Sequence, residues 1–224
     1  LADGPRIGGL ARFSGIDWPG RLVATVFCQG CPWACPYCHN AHLIPVQGEA
    51  EWAWAEVRAF LERRRGLLDG VVFSGGEPTL HPALPEAVRA VRAMGFEVGL
   101  HSGGPWPDRL AALLPDLDWV GFDVKAPFAR YGEVTGVAGS GDKARDSLRR
   151  LIDSRVAFEV RTTLHPDLLD DAALDQLAAE LLALGVRRLV LQPARPTAEA
   201  PVTAPFPALS ADRAAAFESV ETRA

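Results

Sequence analysis

"RLVATVFCQGCPWACPYCHN", residues 21–40, runs from an apolar strand pattern straight into a loop crowded with thiols. Residues 21–27 are almost continuously apolar, as expected for a parallel strand covered on both faces. Cys28, Cys31, Cys35 and Cys38 fall within eleven positions, and the chain has no other cysteine. One local cluster cannot staple distant parts of a fold, so a disulfide framework is a poor reading. Two C-x2-C pairs suggest zinc, but such pairs are usually about 12 or more residues apart, so that they approach the ion from different sides. Here only Pro32, Trp33 and Ala34 intervene. A four-thiolate iron–sulfur cluster is a second reading, which the crowding permits. A third uses Cys31, Cys35 and Cys38 alone, in the spacing C-x3-C-x2-C. It leaves one iron of a four-iron cube open to an outside molecule, with Cys28 as a buried strand thiol.

Further strand patterns follow at 71–73, 96–100, 119–124, 157–164 and 188–192, making six with 21–27. Between them lie helical stripes: Trp54, Val57, Phe60 and Leu61; Leu84, Ala87, Val88 and Val91; Leu174, Leu177, Ala178, Leu181 and Leu182. Weaker helices are expected over 107–114 and 143–153, and a last one from about Ser210 and Ala211, beyond the Pro-rich stretch 193–207. Strands alternating with helices imply a parallel α/β sheet, open or curled into a barrel. The expected organisation is one domain over 1–224, with a βα core of about 20–195 and a C-terminal segment, 196–224.

The unusual residues fall where these strands end: the cysteine loop, "SGGEP" (74–78), "HSGG" (101–104), "DVK" (123–125), "RTT" (161–163) and "QP" (192–193). Sites in parallel α/β folds form at the carboxyl ends of strands, so all six are expected at one rim. Asp123 and Lys125 are two apart and share a strand face. Glu159, Arg161 and Thr163 make a polar face opposite Phe158, Val160 and Thr162, suited to a lumen that holds a polar ligand.

C-x3-C-x2-C with Tyr37 before the last cysteine and "CHN" after it, followed by "GGEP" at 75–78, resembles the radical S-adenosylmethionine superfamily. The longer stretch "GGLARFSGIDWPGRLVATVFCQGCPWACPYCHN" (8–40), with "DVKAP" (123–127), "RTT" and "LQPARP" (191–196), is similar to the activating enzymes of anaerobic ribonucleotide reductase. It is more distantly similar to the pyruvate formate-lyase activases.

The resemblance implies a partial (βα)6 barrel and a [4Fe–4S] cluster on Cys31, Cys35 and Cys38, with S-adenosylmethionine on the open iron. One electron cleaves the sulfonium, and the 5′-deoxyadenosyl radical removes a hydrogen atom from a glycine of the partner reductase. The cofactors carry that chemistry and the protein positions them. An electron donor such as flavodoxin or ferredoxin is implied too.

By the same resemblance, Gly75 and Gly76 let backbone approach the ligand, and Glu77 or the neighbouring carbonyls receive its ammonium. Lying on a different loop from the cysteines, the Gly76–Glu77 pair is expected to serve the cofactor and not the iron. Asp123 and Lys125 would lie beside its ribose and carboxylate, Arg161 is a carboxylate partner, Tyr37 lies near the adenine, and Ser102 joins the set. His39 reads as a loop hydrogen-bonding residue. Trp33 and Pro32 are expected to be exposed at the rim, Trp33 either docking a partner or shielding the cluster. Two departures stand out. His101-Ser102 lacks the acid that helps the formate-lyase activases hold a monovalent cation, and Gln192 stands near where those enzymes place a histidine.

The chain has 224 residues, 48% of them hydrophobic, and a net charge of -5. That is enough for a substantial core and argues against general nucleic-acid binding. Arg63-Arg64-Arg65 reads as a solvated helix end. No apolar run approaches the roughly 18 residues of a membrane span, and the start has no secretory layout. The expectation is a cytoplasmic protein with reduced thiols. Two other functions compete: a radical enzyme acting on a small molecule, such as a deazaguanine synthase, and an iron–sulfur electron carrier or sensor. The carrier would need neither GGE nor a polar lumen.

Overall fold

The apolar runs assemble into one eight-stranded sheet whose strands lie side by side in sequence order. They are β1 (Ile7–Ser14), β2 (Val23–Cys28), β3 (Gly70–Gly75), β4 (Glu97–Ser102), β5 (Trp119–Asp123), β6 (Ala157–Leu164), β7 (Arg188–Pro193) and β8 (Ser219–Thr222). The computed structural model describes residues 4–48, 50–197 and 200–223. Positions 198 and 199, inside the predicted Pro-rich stretch, lie outside the described residues, as do 1–3, 49 and 224. Among these eight strands the β1–β2 pairing is antiparallel and every later neighbour is parallel.

The helices are α1 (Trp54–Glu62), α2 (Leu84–Ala93), α3 (Pro107–Leu113), α4 (Tyr131–Thr135), α5 (Ser140–Asp153), α6 (Asp171–Leu184) and α7 (Ala211–Ala215). Strands β2 to β7 with their following helices are the six expected βα units of a partial barrel. The predicted stripes are buried: Val57 and Leu61 on α1, Leu84 and Val88 on α2, Leu174 and Leu181 on α6. Local chemistry sets the helix ends. The Asp170 carboxylate caps α6 by accepting the Ala173 N–H at 2.7 Å, and Gly185 leaves it at φ 96°.

Two strands escaped the pattern reading. β1 carries Gly8 and Gly9 in place of a continuous apolar run, and β8 is four residues long. Both extend the sheet at its edges, β1 beside β2 and β8 beside β7. The β1–β2 connection also closes one end of the lumen. There Trp18 stacks on Trp119 with ring centres 5.4 Å apart and packs with Val23 and Val72. A side chain at Gly99 would strike the Trp18 ring at 2.9 Å. Val23 and Trp119 begin their strands, so this plug fills the amino-terminal end and leaves the carboxyl ends free for a site.

Candidate functional site

A pocket of about 300 Å³ opens at the carboxyl ends of the strands. Each residue singled out for the cluster or the cofactor lines it: Cys31, Cys35, Cys38, Tyr37, Gly75, Gly76, Glu77, Ser102, Asp123, Lys125 and Arg161. Cys28 does not; it is fully buried in β2. Asp17, Asn40 and Ser74 also line it. Beyond lying inside quoted motifs they carried no signal, because each is a single polar residue: Asp17 and Asn40 in loops, Ser74 near the end of β3.

The cysteine loop is tied down on three sides. Gly30 and Cys31 donate their N–H groups to the Leu43 and Ile44 carbonyls at 2.7 and 3.0 Å, and Ala34 donates to Thr135 O at 3.0 Å. From β3, Gly76 N–H reaches Cys28 O at 2.9 Å and Glu77 N–H reaches Gly30 O at 2.8 Å. Inside the loop, Cys38 N–H closes onto Cys35 O at 3.1 Å. His39 accepts the Arg195 N–H at 3.1 Å, joining this loop to the chain beyond β7. The expected hydrogen-bonding role of His39 is therefore met.

The glycine pair has a tighter duty than ligand approach. Gly75 sits at φ +108°, and a Cβ there would fall on the Cys28 backbone; one on Gly76 would fall on the Gly30 carbonyl. The two loops are thus packed backbone to backbone, and the expectation that the glycines let backbone approach a ligand is widened to include that packing.

Trp33 is also corrected. It is 4% exposed, not displayed at the rim. Its ring meets Tyr131 edge-on at 5.7 Å, and it occupies the space that a Gly103 side chain would need. Pro32 is half-buried. Tyr37 is buried and stacks on His165 with ring centres 6.4 Å apart, its hydroxyl finding no hydrogen-bond partner among the described residues.

On the opposite wall, Arg161 Nε donates to Asp123 Oδ1 at 2.9 Å. Burial alone would raise the Asp123 carboxyl, but the Arg161, Lys125 and His101 charges and the Arg161 hydrogen bond hold it below the usual range. The Arg161 fork has therefore found a carboxylate inside the chain. Of the predicted polar face on β6, Arg161 and Thr163 line the pocket. Glu159 instead takes the Arg223 guanidinium at 2.9 and 3.0 Å. His101 Nε2 donates to Asp17 O at 2.7 Å, so Nδ1 accepts from the Ser74 hydroxyl at 3.0 Å. Burial, with the Arg161 charge nearby, pushes this imidazole down to about 4.

The donor set fits a cluster. Three partly exposed thiols face one pocket. Burial pushes Cys31 up to about 12 and raises Cys35 as well, so both are thiols until a metal takes the proton's place. Beside them lies a wall with a carboxylate, an ammonium and a guanidinium, matched to a ligand that is itself polar and charged.

Residues 25–181 match the radical SAM superfamily, and the chain belongs to it. It is an enzyme of that type, and its cofactors are a [4Fe–4S] cluster and S-adenosylmethionine. It is similar to a Methanocaldococcus jannaschii protein carrying the provisional name glycyl-radical enzyme activating enzyme MJ1227, at 29% identity over 77% of this chain and 73% of that one. It is also similar to the pyruvate formate-lyase-activating enzyme of Clostridium pasteurianum, at 27% identity over 74% of this chain and 71% of that one. Its fold resembles Streptococcus suis SuiB bound to S-adenosylmethionine, with a TM-score of 0.66 and 11% identity. That match covers 88% of this chain and 48% of SuiB.

Proposed function

We propose that this chain is an activating enzyme that generates a glycyl radical on a partner enzyme. The observation that carries the reading is the likeness to MJ1227 across most of both chains. The finer target, an anaerobic ribonucleotide reductase, rests on the similarity of residues 8–40 and of the motifs at 123–127, 161–163 and 191–196. When bound, the cluster and S-adenosylmethionine supply one-electron cleavage of a carbon–sulfur bond and removal of a hydrogen atom.

The chain's own residues do the positioning. Cys31, Cys35 and Cys38 hold the cluster. Lys125 makes no ion pair among the described residues, so its ammonium is available to the cofactor carboxylate. Asp123 has Oδ1 committed to Arg161, which leaves Oδ2 for a ribose hydroxyl. Tyr37 lies by the adenine. A second chamber of about 790 Å³ shares Asp17, Asn40, Arg161 and Thr163 with the pocket. It gives a polypeptide segment room to bring its Cα–H to within roughly 3–3.5 Å of the reacting carbon. A small electron carrier, flavodoxin or ferredoxin, supplies the electron.

The test is anaerobic reconstitution with the reductase encoded in the same organism. 5′-Deoxyadenosine and the doublet of a glycyl radical in electron paramagnetic resonance are expected. Cofactor cleavage stimulated by a small metabolite, with no radical on any reductase, would overturn the reading.

A further inference from the structure

The Glu77 carboxylate is full before any ligand arrives. Oε1 accepts the Thr79 N–H at 3.0 Å and the Thr79 hydroxyl at 2.6 Å. Oε2 accepts the Gly103 N–H at 3.1 Å. The Ser102 hydroxyl reaches both oxygens, at 2.9 and 3.1 Å, and shares its one proton between them. A carboxylate offers about four lone-pair sites, and these four donors take them. Ser102 is committed as well, since its oxygen also accepts the Gly104 N–H at 3.0 Å. Both side chains are buried, each residue 3% exposed.

We propose that Glu77 and Ser102 are positioning residues, a brace that locks the loop after β3 to the loop after β4, and that neither side chain contacts S-adenosylmethionine. This rests on reading the pocket as the cofactor site. An ammonium would need a free lone pair on Glu77, and none is left. The brace reaches further than its own bonds. Glu77 fixes Gly103, and the Trp33 ring is seated where a Gly103 side chain would be. Glu77 N–H also holds the Gly30 carbonyl at 2.8 Å. One residue therefore sets the spacing of three loops around the pocket.

The test compares Glu77→Gln and Ser102→Ala with the wild type in two measurements. The first is backbone amide exchange over residues 102–104 in the full chain without cluster or cofactor. The second, on reconstituted protein, is calorimetric affinity for S-adenosylmethionine and for its analogue lacking the α-amino group. A brace predicts about tenfold or greater loss of protection in both variants. It also predicts that affinity for the two ligands falls by the same factor. Unchanged exchange, or a loss of affinity confined to Glu77→Gln and to the amino-bearing ligand, would overturn it. Should Glu77→Gln fail to fold, Ser102→Ala carries both readings. A wild-type chain that bound no S-adenosylmethionine would count against the proposed function, and the exchange measurement would still decide the brace.

Discussion

The Lys125 ammonium lies 5.9 Å from the centre of the Trp33 ring. Trp33 is thus a buried platform between the cysteine loop and the end of β5, with Tyr131 against its edge. Such a platform excludes water from one side of the thiols and holds a cation near where the cofactor carboxylate would lie.

Trp33→Ala therefore removes a core side chain. A loss of about 3–5 kcal/mol of stability is expected, with faster loss of the cluster in air. Trp33→Phe should recover most of both. Thermal unfolding and the decay of the cluster's absorbance check this. A variant of unchanged stability would return Trp33 to the surface.

Iron and sulfide analysis separates the four cysteines. Cys31→Ala, Cys35→Ala and Cys38→Ala should each prevent an intact [4Fe–4S] cluster. Cys28→Ala should keep it, because Cys28 contributes its backbone carbonyl to Gly76 and its thiol lies outside the pocket wall. Cluster loss in Cys28→Ala would favour a four-thiolate site.

Gly76→Ala should harm the iron site as well as the cofactor site. The added methyl meets the Gly30 carbonyl, one residue before Cys31. Overpacking of this kind costs about 1–3 kcal/mol. Iron content should fall together with cofactor affinity, whereas full iron with weak cofactor binding would show that the two loops act independently.

His101 makes stability depend on pH. Its imidazole is held down to about 4 in the folded chain, against about 6.5 when unfolded. Between those values the unfolded state binds the extra proton, so its contribution is whole above about pH 6.5 and is lost as pH falls toward 4. The ring is partly open to the pocket, and a loss on the order of 2 kcal/mol is expected. Urea unfolding of the cluster-free chain at several pH values should show it. His101→Gln should be less stable at pH 7 but lose less on acidification.

What could be read from the chain before folding is whatever neighbours within a few residues decide. The apolar runs of β2 to β7, the helix stripes and the C-x3-C-x2-C spacing are local patterns, and parallel strands bring their carboxyl ends to one rim whatever the details. That is why all eleven singled-out residues lie on one pocket wall. The short edge strands carry too little periodicity to read.

Tertiary structure alone decided which of those groups are spent on one another. Asp123 and Arg161 are 38 residues apart, Glu77 and Ser102 are 25 apart, and Asp17 and His101 are 84 apart. Hydrogen bonds and ion pairs act over about 3 Å, so such pairs exist only once the sheet has set the loop spacing. The same holds for Trp33. An aromatic residue in a loop suits a surface or a core equally well, and only the glycine gap at 103, brought beside it by β4, placed it inside.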